Sequence, residues 1–239
     1  MQLVEHTDRS IVNLLLQRPQ DLDLVIPRGG ESLIKAVVEQ SKIPVIKHYK
    51  GLCHIYVDAS ADLFKAKEII LNAKVQRPGV CNAMETLLLD RNLPVAARQE
   101  ILEALLASDV KILGDEACAS LNEKIIPATD EDWATEYLDY VLSVKTVSGL
   151  QEAVDHIADY GSGHTEAVLA QDSDVQNYFV ASVDSSSVMI NASTRFADGG
   201  MYGLGAEVGI STDKLHARGP MGVESLTSYK WIVRGNGQV

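Results

Sequence analysis

Hydrophobic positions along the chain follow two patterns that alternate with each other. One is the three-to-four-residue spacing of an amphipathic helix, and the other is a short apolar run rich in β-branched residues. The first pattern predicts helices over residues 8–17, 31–40, 62–76, 94–107, 115–122, 149–160 and 172–181. The second predicts strands over residues 23–27, 43–47, 52–58, 85–89, 109–113, 140–147, 165–170 and 187–191. Because single helices separate most of the strands, we expect an α/β fold with a largely parallel sheet.

The alternation changes at both ends of the chain. Before residue 50 there are only two convincing strands, fewer than a complete dinucleotide-binding half contains. After residue 191 the chain is rich in Gly, Arg and Ser, and the pattern predicts a loop, a short helix and a terminal strand near "SYKWIVR" (228–234).

Composition narrows the function classes. The chain has 239 residues, 46% of them hydrophobic, and a formal net charge of −12. The apolar content is sufficient for a packed core, and the acidity disfavours nucleic acid and anionic membranes as partners. Three separated cysteines without a CxxC pair, and the lack of a signal-like apolar stretch, lead us to expect a reduced, cytoplasmic setting.

Cys81 is the first candidate for chemistry. It lies in the stretch "KVQRPGVCNAMETLLLD", in a Pro-Gly turn between a predicted helix and a predicted strand. A cysteine at such a junction can meet backbone N–H groups that stabilise its thiolate and an oxyanion. The alternative is a small buried hydrophobic residue, which is the interpretation we favour for Cys53 and Cys118.

Three other segments contain candidate anion-binding residues. In "IPRGGESL" (26–33), Arg28 precedes the turn Gly29-Gly30 and a helix for which Ser32 is a candidate N-cap. The alternative is an ordinary strand-to-helix turn. The loop "NASTRFADGG" contains four potential anion donors, which are Asn191, Ser193, Thr194 and Arg195. The alternative interpretation of this segment is a flexible surface loop. His216 and Arg218 in "LHARGPMG" fit either a turn or a second anion contact.

Several common catalytic motifs are absent from the sequence. None of the six histidines shows the local spacing of a metal site, and there is no HExxH, GxxxxGK[ST] or GxSxG motif. We therefore expect no metal site, no P-loop nucleotide chemistry and no serine hydrolase chemistry.

Five blocks taken together resemble the γ-glutamyl phosphate reductase family, also called glutamate-5-semialdehyde dehydrogenase, of the aldehyde dehydrogenase superfamily. The blocks are "DLVIPRGGESLI", "IPVIKHYKGLCHIYVD", "QRPGVCNAMETLL", "INASTRFADGG" and "YGLGAEVGISTDKLHARGPMG". The resemblance implies an aldehyde-dehydrogenase-like catalytic domain with parallel sheet and flanking helices. It also implies three parts: the end of the NADP-binding domain (1–50), the catalytic domain (51–208) and a C-terminal return with an oligomerisation strand (209–239).

The resemblance also implies a reaction. It is the NADPH-dependent reduction of L-glutamyl 5-phosphate to L-glutamate 5-semialdehyde in proline biosynthesis, with Cys81 as the nucleophile that forms a thioester. Arg28, Gly29 and Gly30 would border the nicotinamide, and Glu136 would hold its ribose. The substrate phosphate or carboxylate would be held by the loop donors Arg195, Ser193, Thr194 and Asn191. We expect a homo-oligomer.

Two departures from the superfamily pattern refine this expectation. Hydrolytic members have a general-base Glu upstream of the nucleophile, whereas the similar position here, "KHYKG" (47–51), has none. This favours acyl-phosphate chemistry, in which no water is activated. The chain also resembles only the C-terminal portion of the family, so we expect weak NADPH binding by this chain alone. The alternatives are another acylating aldehyde dehydrogenase and an inactive, assembly-only fragment.

Overall fold

A seven-stranded parallel sheet forms the centre of the fold in the computed structural model, which describes residues 2–239. Its strands are β1 (Cys53–Val57), β2 (Met84–Asp90), β3 (Lys111–Gly114), β4 (Ile126–Pro127), β5 (Val141–Val147), β6 (Thr165–Leu169) and β7 (Ser187–Ile190). They lie in the order β4-β3-β5-β2-β1-β6-β7, and each neighbouring pair is parallel. The predicted α/β fold is confirmed.

Helices cover both faces of this sheet. They are α1 (Ser10–Leu16), α2 (Glu31–Gln40), α3 (Leu63–Val75), α4 (Val95–Ala107), α5 (Glu116–Ala119), α6 (Leu150–Tyr160) and α7 (Ser173–Ser182). Three 3₁₀ turns (Asp132–Ala134, Thr194–Phe196 and Glu224–Leu226) and an antiparallel pair, β8 (Gly209–Ser211) and β9 (Gly219–Met221), complete the structure.

The core consists of two apolar layers, one on each face of the sheet. Along β1, Ile55 and Val57 point into the layer that packs on α3 and α4, whereas Tyr56 points into the layer of α6 and α7. Every residue of β1 and β2 is buried. Burial along the whole of both strands is typical of a parallel sheet covered on both sides, and here it includes polar side chains such as His54, Glu85 and Asp90.

Most predicted elements are present within one to three residues of their predicted ends, but four predictions were wrong. The strands predicted at 23–27 and 43–47 are reduced to a single parallel bridge between Val25 and Val45. Pro27 and Pro44 lack the N–H groups that a longer ladder would use. The segment 228–234 forms no strand, since the described part of the chain offers it no partner. The N-cap of α2 is Gly30 rather than Ser32.

The divisions near residues 50 and 208 remain predictions. Among residues 2–239, no helix combines the length and the apolar character needed to cross a membrane.

Candidate active site

The residues around Cys81 come from the amino ends of four adjacent strands. His48 and Gly51 precede β1, Cys81 precedes β2, Glu136 precedes β5, and His164 precedes β6. Because these strands lie side by side in the order β5-β2-β1-β6, the segments that lead into them meet at one edge of the sheet. The site is thus built by segments that are distant in sequence and adjacent in the sheet.

Cys81 lies in the turn between α3 and β2, as predicted. A hydrogen bond from Ala83 N to Val80 O (3.0 Å) closes the turn, and Cys81 is half-buried. Gly51 packs directly on it: a Cβ atom at residue 51 would lie 2.1 Å from the Cys81 carbonyl oxygen and 2.4 Å from its Cα. Cys81 lines two cavities, so this residue is accessible to ligands rather than sealed in the core.

The first of these, the glycine cavity, has a volume of about 580 Å³ and is lined by the predicted cofactor-binding residues Arg28, Gly29, Gly30 and Glu136 together with Cys81. Gly30 starts α2 without a side-chain cap. The first N–H groups of α2 therefore remain available beside the cavity, where a helix N-terminus favours negative charge.

The second, the arginine cavity, has a volume of about 600 Å³ and is lined by Arg28, Arg77, Arg195 and Cys81. Arg195 Nε donates to Gln76 Oε1 at 3.0 Å, which holds the guanidinium in place. Burial and the neighbouring Arg77 lower the pKa of Arg195 below its usual range. The carboxylates of Asp198 and Glu207 also line the cavity, but the three guanidinium groups outnumber them, which favours an anion such as phosphate.

The other three predicted substrate donors do not line either cavity. Asn191 uses its amide group to pair with the backbone of Ala170, at 3.0 Å and 2.8 Å. Ser193 Oγ accepts from Arg195 N (3.2 Å) and caps the 3₁₀ turn, and Thr194 is fully buried. In this structure the three residues hold the loop that carries Arg195, and their direct role in substrate binding stays a prediction.

The environment of Cys81 opposes ionisation of the thiol. Burial, and then the carboxylates of Glu207 and Glu136, raise its pKa to about 11. Its own backbone N–H and Arg195 act in the opposite direction. The lowered pKa that a turn position can provide is therefore not found, and thiolate formation depends on the positive groups at the site.

Glu136 is tied to the nucleophile through Gly51. Glu136 Oε1 accepts a hydrogen bond from Gly51 N at 2.8 Å. The loop that carries Glu136 is anchored one layer deeper, where Leu138 N donates to Glu85 Oε1 (3.2 Å) and Lys74 Nζ donates to Glu85 Oε2 (2.7 Å). Both Lys74 and Glu85 are completely buried, so this ion pair fixes the relation of α3, β2 and the loop.

The structure also brings two histidines to the thiol. One ring nitrogen of His48, one of His164 and Cys81 Sγ all lie within 4.8 Å of one another. His48 lies in the block "KHYKG" and lines both cavities, whereas His164 is fully buried beneath it. Neither residue is marked in the sequence, because their spacing along the chain matches no local metal or catalytic motif.

Comparisons with known proteins bear on the family and on the fold. No protein-family model matches the chain. Over all 239 residues the chain is 53% identical to γ-glutamyl phosphate reductase of Geobacter metallireducens, covering 57% of that protein. The structure matches that of γ-glutamyl phosphate reductase from Thermotoga maritima with a TM-score of 0.95 at 45% identity, covering 99% of this chain and 57% of that one.

The resemblance to the γ-glutamyl phosphate reductase family is confirmed. The chain spans a little over half the length of the relatives it matches. An acetylating aldehyde dehydrogenase from Geobacillus thermoglucosidasius, at 17% identity, matches with a TM-score of 0.71 over 97% of this chain and 61% of its own. This more distant likeness confirms the aldehyde-dehydrogenase-like fold.

Proposed function

We propose that this chain carries the nucleophile of a reductase that converts L-glutamyl 5-phosphate to L-glutamate 5-semialdehyde and phosphate. The observation that carries the proposal is the position of Cys81, which lines both the arginine cavity and the glycine cavity. The match to γ-glutamyl phosphate reductases over the whole chain supports the same reaction.

The first step forms a thioester on Cys81. The thiolate attacks the acyl carbon of the acyl phosphate, an S–C bond forms, and the C–O bond to phosphate breaks. The cysteine's own backbone N–H favours the thiolate, and Arg195 stabilises it across the arginine cavity. The Arg195 guanidinium, together with that of Arg77, binds the leaving phosphate as its charge develops.

In the second step the acyl carbon is reduced, the S–C bond to Cys81 breaks, the aldehyde leaves, and Cys81 returns to the thiolate. A nicotinamide cofactor, when bound, would supply the hydride that reduces the acyl carbon. The glycine cavity fits such a group: its volume of about 580 Å³ is ample for a nicotinamide riboside, and Arg28 and the first turn of α2 face it. Glu136 lines the same cavity and accepts from Gly51 N, so its carboxylate is fixed at the cavity wall, where it would hold a ribose hydroxyl of the bound cofactor.

The reverse reaction provides the test. The full-length protein is assayed with glutamate 5-semialdehyde, phosphate and NADP⁺, and formation of reduced cofactor is followed by absorbance. We expect Cys81→Ser to abolish turnover, and Cys118→Ser, a buried cysteine outside both cavities, to retain it. Equal turnover by wild type and Cys81→Ser would overturn the proposal.

The arginine cavity supports an acyl phosphate as the activated acid. If Arg77 and Arg195 hold phosphate, Arg195→Ala raises the KM for phosphate in that assay by roughly 10- to 100-fold, the usual loss for a charge-assisted hydrogen bond. A reaction that proceeds equally well with another acyl acceptor, and an unchanged KM for phosphate in the variant, would instead indicate a different acylating aldehyde dehydrogenase.

A second copy of the chain is the partner that we expect besides the substrate. Tyr229, Trp231 and Val233 are between 86% and 89% exposed and alternate as in a strand. An apolar strand-like segment of this kind gains stability by pairing with another edge. Analytical ultracentrifugation of wild type and Trp231→Lys tests the proposal: an oligomer for the wild type and a shift toward monomer for the variant are expected.

A further inference from the structure

His48, Cys81 and His164 together form a potential metal-binding set. A nitrogen of each ring and Cys81 Sγ lie within 4.8 Å of one another, and the two rings meet edge to face with centroids 5.6 Å apart. No other group of at least three His, Cys, Asp or Glu side chains with this proximity occurs among residues 2–239. The set is therefore particular to this site and is not one of many clusters of carboxylates that an acidic chain could form.

The hydrogen bonds of His48 leave one nitrogen free for a ligand. His48 Nδ1 lies 2.8 Å from the carbonyl oxygen of Ile210, which can only accept, so Nδ1 carries the proton. The lone pair is then on Nε2. A ring whose other nitrogen donates to a backbone carbonyl is the usual arrangement of a metal-binding histidine.

The hydrogen bonds of His164 also leave Nε2 free for a ligand, and here that nitrogen is buried. Its Nδ1 lies 2.9 Å from Thr165 Oγ1 and 3.7 Å from Cys53 Sγ, and the Cys53 thiol itself donates to Cys81 O. Both neighbours can thus accept from Nδ1–H. Nε2 is buried without a hydrogen-bond partner, which is a costly state for a polar atom. An electron-pair acceptor bound at Nε2 would remove this cost.

We propose that a divalent zinc ion binds His48, Cys81 and His164 and thereby blocks the nucleophile. Two imidazole nitrogens and a thiolate are the donor types that Zn²⁺ prefers, and a three-residue set leaves a fourth position for water. On binding, the Cys81 S–H bond breaks, an S–Zn bond forms, and the proton passes to solvent. The inhibitory consequence rests on the proposed function, whereas the binding itself does not.

Access to the set comes from the cavities. His48 and Cys81 line both of them, so an ion can arrive through solvent without opening the core. Because Cys81 cannot ligate zinc and attack an acyl phosphate at the same time, bound metal and turnover exclude each other. Removal of the metal by a chelator restores the free thiol.

Cobalt titration of the full chain tests the site directly. Co²⁺ is the probe because a Co–thiolate bond gives a charge-transfer absorption band that does not require catalytic activity. We expect one equivalent of Co²⁺ to produce the band in wild type and in the control Cys118→Ser, and Zn²⁺ to displace it. Cys81→Ser should lose the band, and His48→Ala, which removes a proposed ligand, should weaken Co²⁺ binding by more than the roughly 10- to 100-fold that loss of an outer-shell partner costs.

Two readouts separate this inference from the proposed function. A band in wild type that persists unchanged in Cys81→Ser, or the absence of any band in a correctly folded wild type, would overturn the metal site whatever the reductase activity. A band that follows Cys81 and His48 supports the site even if turnover proves to be absent. In an active preparation, inhibition by Zn²⁺ that a chelator reverses is expected, and insensitivity to Zn²⁺ would overturn the inhibitory role.

Discussion

At the scale of single residues, Cys81 is subject to opposing influences. Burial and two carboxylates disfavour its charge, whereas its backbone N–H and Arg195 favour it. An exposed thiolate would react with solutes at all times. A thiol held near pKa 11 in the free protein stays protonated near neutral pH, which confines the reactive form to the moment when positive groups and substrate are in place.

This balance predicts the effect of Glu207→Gln. Removing the negative charge of Glu207 lowers the pKa of the Cys81 thiol, so more thiolate is present at any pH below about 11. The amide oxygen of Gln can still accept from Gly199 N, as Glu207 Oε2 does at 2.9 Å. We expect iodoacetamide to alkylate Cys81 roughly threefold faster at pH 8, as measured by mass spectrometry. An unchanged rate profile from pH 7 to 11 would contradict the electrostatic explanation.

The sequence identified the residues of the site only where a local pattern marked them. Cys81 and Arg28 lie in turns between elements, and both line the cavities. Asn191 had the right chemistry, but its amide pairs with the backbone of Ala170. His48 and His164 reach Cys81 only because β1, β2 and β6 are adjacent, and no local spacing encodes that order.

At the scale of elements, close backbone contacts set the position of the nucleophile. The segment before β1 and the turn before β2 approach so closely that only glycine fits at residue 51. Apolar periodicity located β1, β2, α3 and α6 well, because each buries one or both faces. It failed for the C-terminal segment, because a strand is defined by its pairing partner as well as by its own residues.

Gly51→Ala tests the contact between the two segments. The added methyl group would overlap the Cys81 backbone, where the oxygen lies 2.1 Å away, and must displace the turn. We expect a loss of stability of about 1–3 kcal/mol and a larger loss of Cys81 reactivity. Gly79→Ala in the same turn is the matched control, since its methyl group meets only Leu138 O at 3.5 Å. Equal reactivity of the two variants would contradict the account.

The buried pair Lys74–Glu85 makes a second element-scale prediction. Desolvation raises the pKa of Glu85 to about 7 and lowers that of Lys74, and their mutual attraction offsets the cost. Lys74→Met removes one partner and should destabilise the protein by about 3–5 kcal/mol, measured by urea unfolding. Lys74→Met combined with Glu85→Gln, which leaves no buried charge, should recover part of that loss. A single variant as stable as wild type would show that the pair is not needed.

At the scale of the whole molecule, buried histidines couple the fold to pH. His156 packs against His54, Trp133 and Tyr160, and neither of its ring nitrogens has a hydrogen-bond partner among the described residues. Burial, reinforced by His54, lowers the pKa of His156 to about 3. The native ring is therefore neutral, whereas the unfolded ring binds a proton below its ordinary pKa of about 6.5.

The sign of the pH dependence follows from this difference. Between about pH 6.5 and 3 the unfolded state binds more protons at His156, so stability falls as the pH falls. From pH 7 to pH 5 this residue alone should cost about 2 kcal/mol. His156→Leu removes this pH-dependent contribution. The difference in unfolding free energy between wild type and His156→Leu should therefore change by about 2 kcal/mol from pH 7 to pH 5. A difference independent of pH would contradict the prediction.

The central claim is that Cys81 is the acyl-accepting nucleophile, and acylation measures it without any cofactor. The folded protein is incubated with acetyl phosphate, a small acyl phosphate, and the modified residue is located by peptide mass spectrometry. The account predicts a thioester on Cys81, whereas Cys53 and Cys118, both fully buried, should remain free. A folded protein that carries no acyl group on Cys81, or carries it on Cys53 or Cys118, would contradict the account.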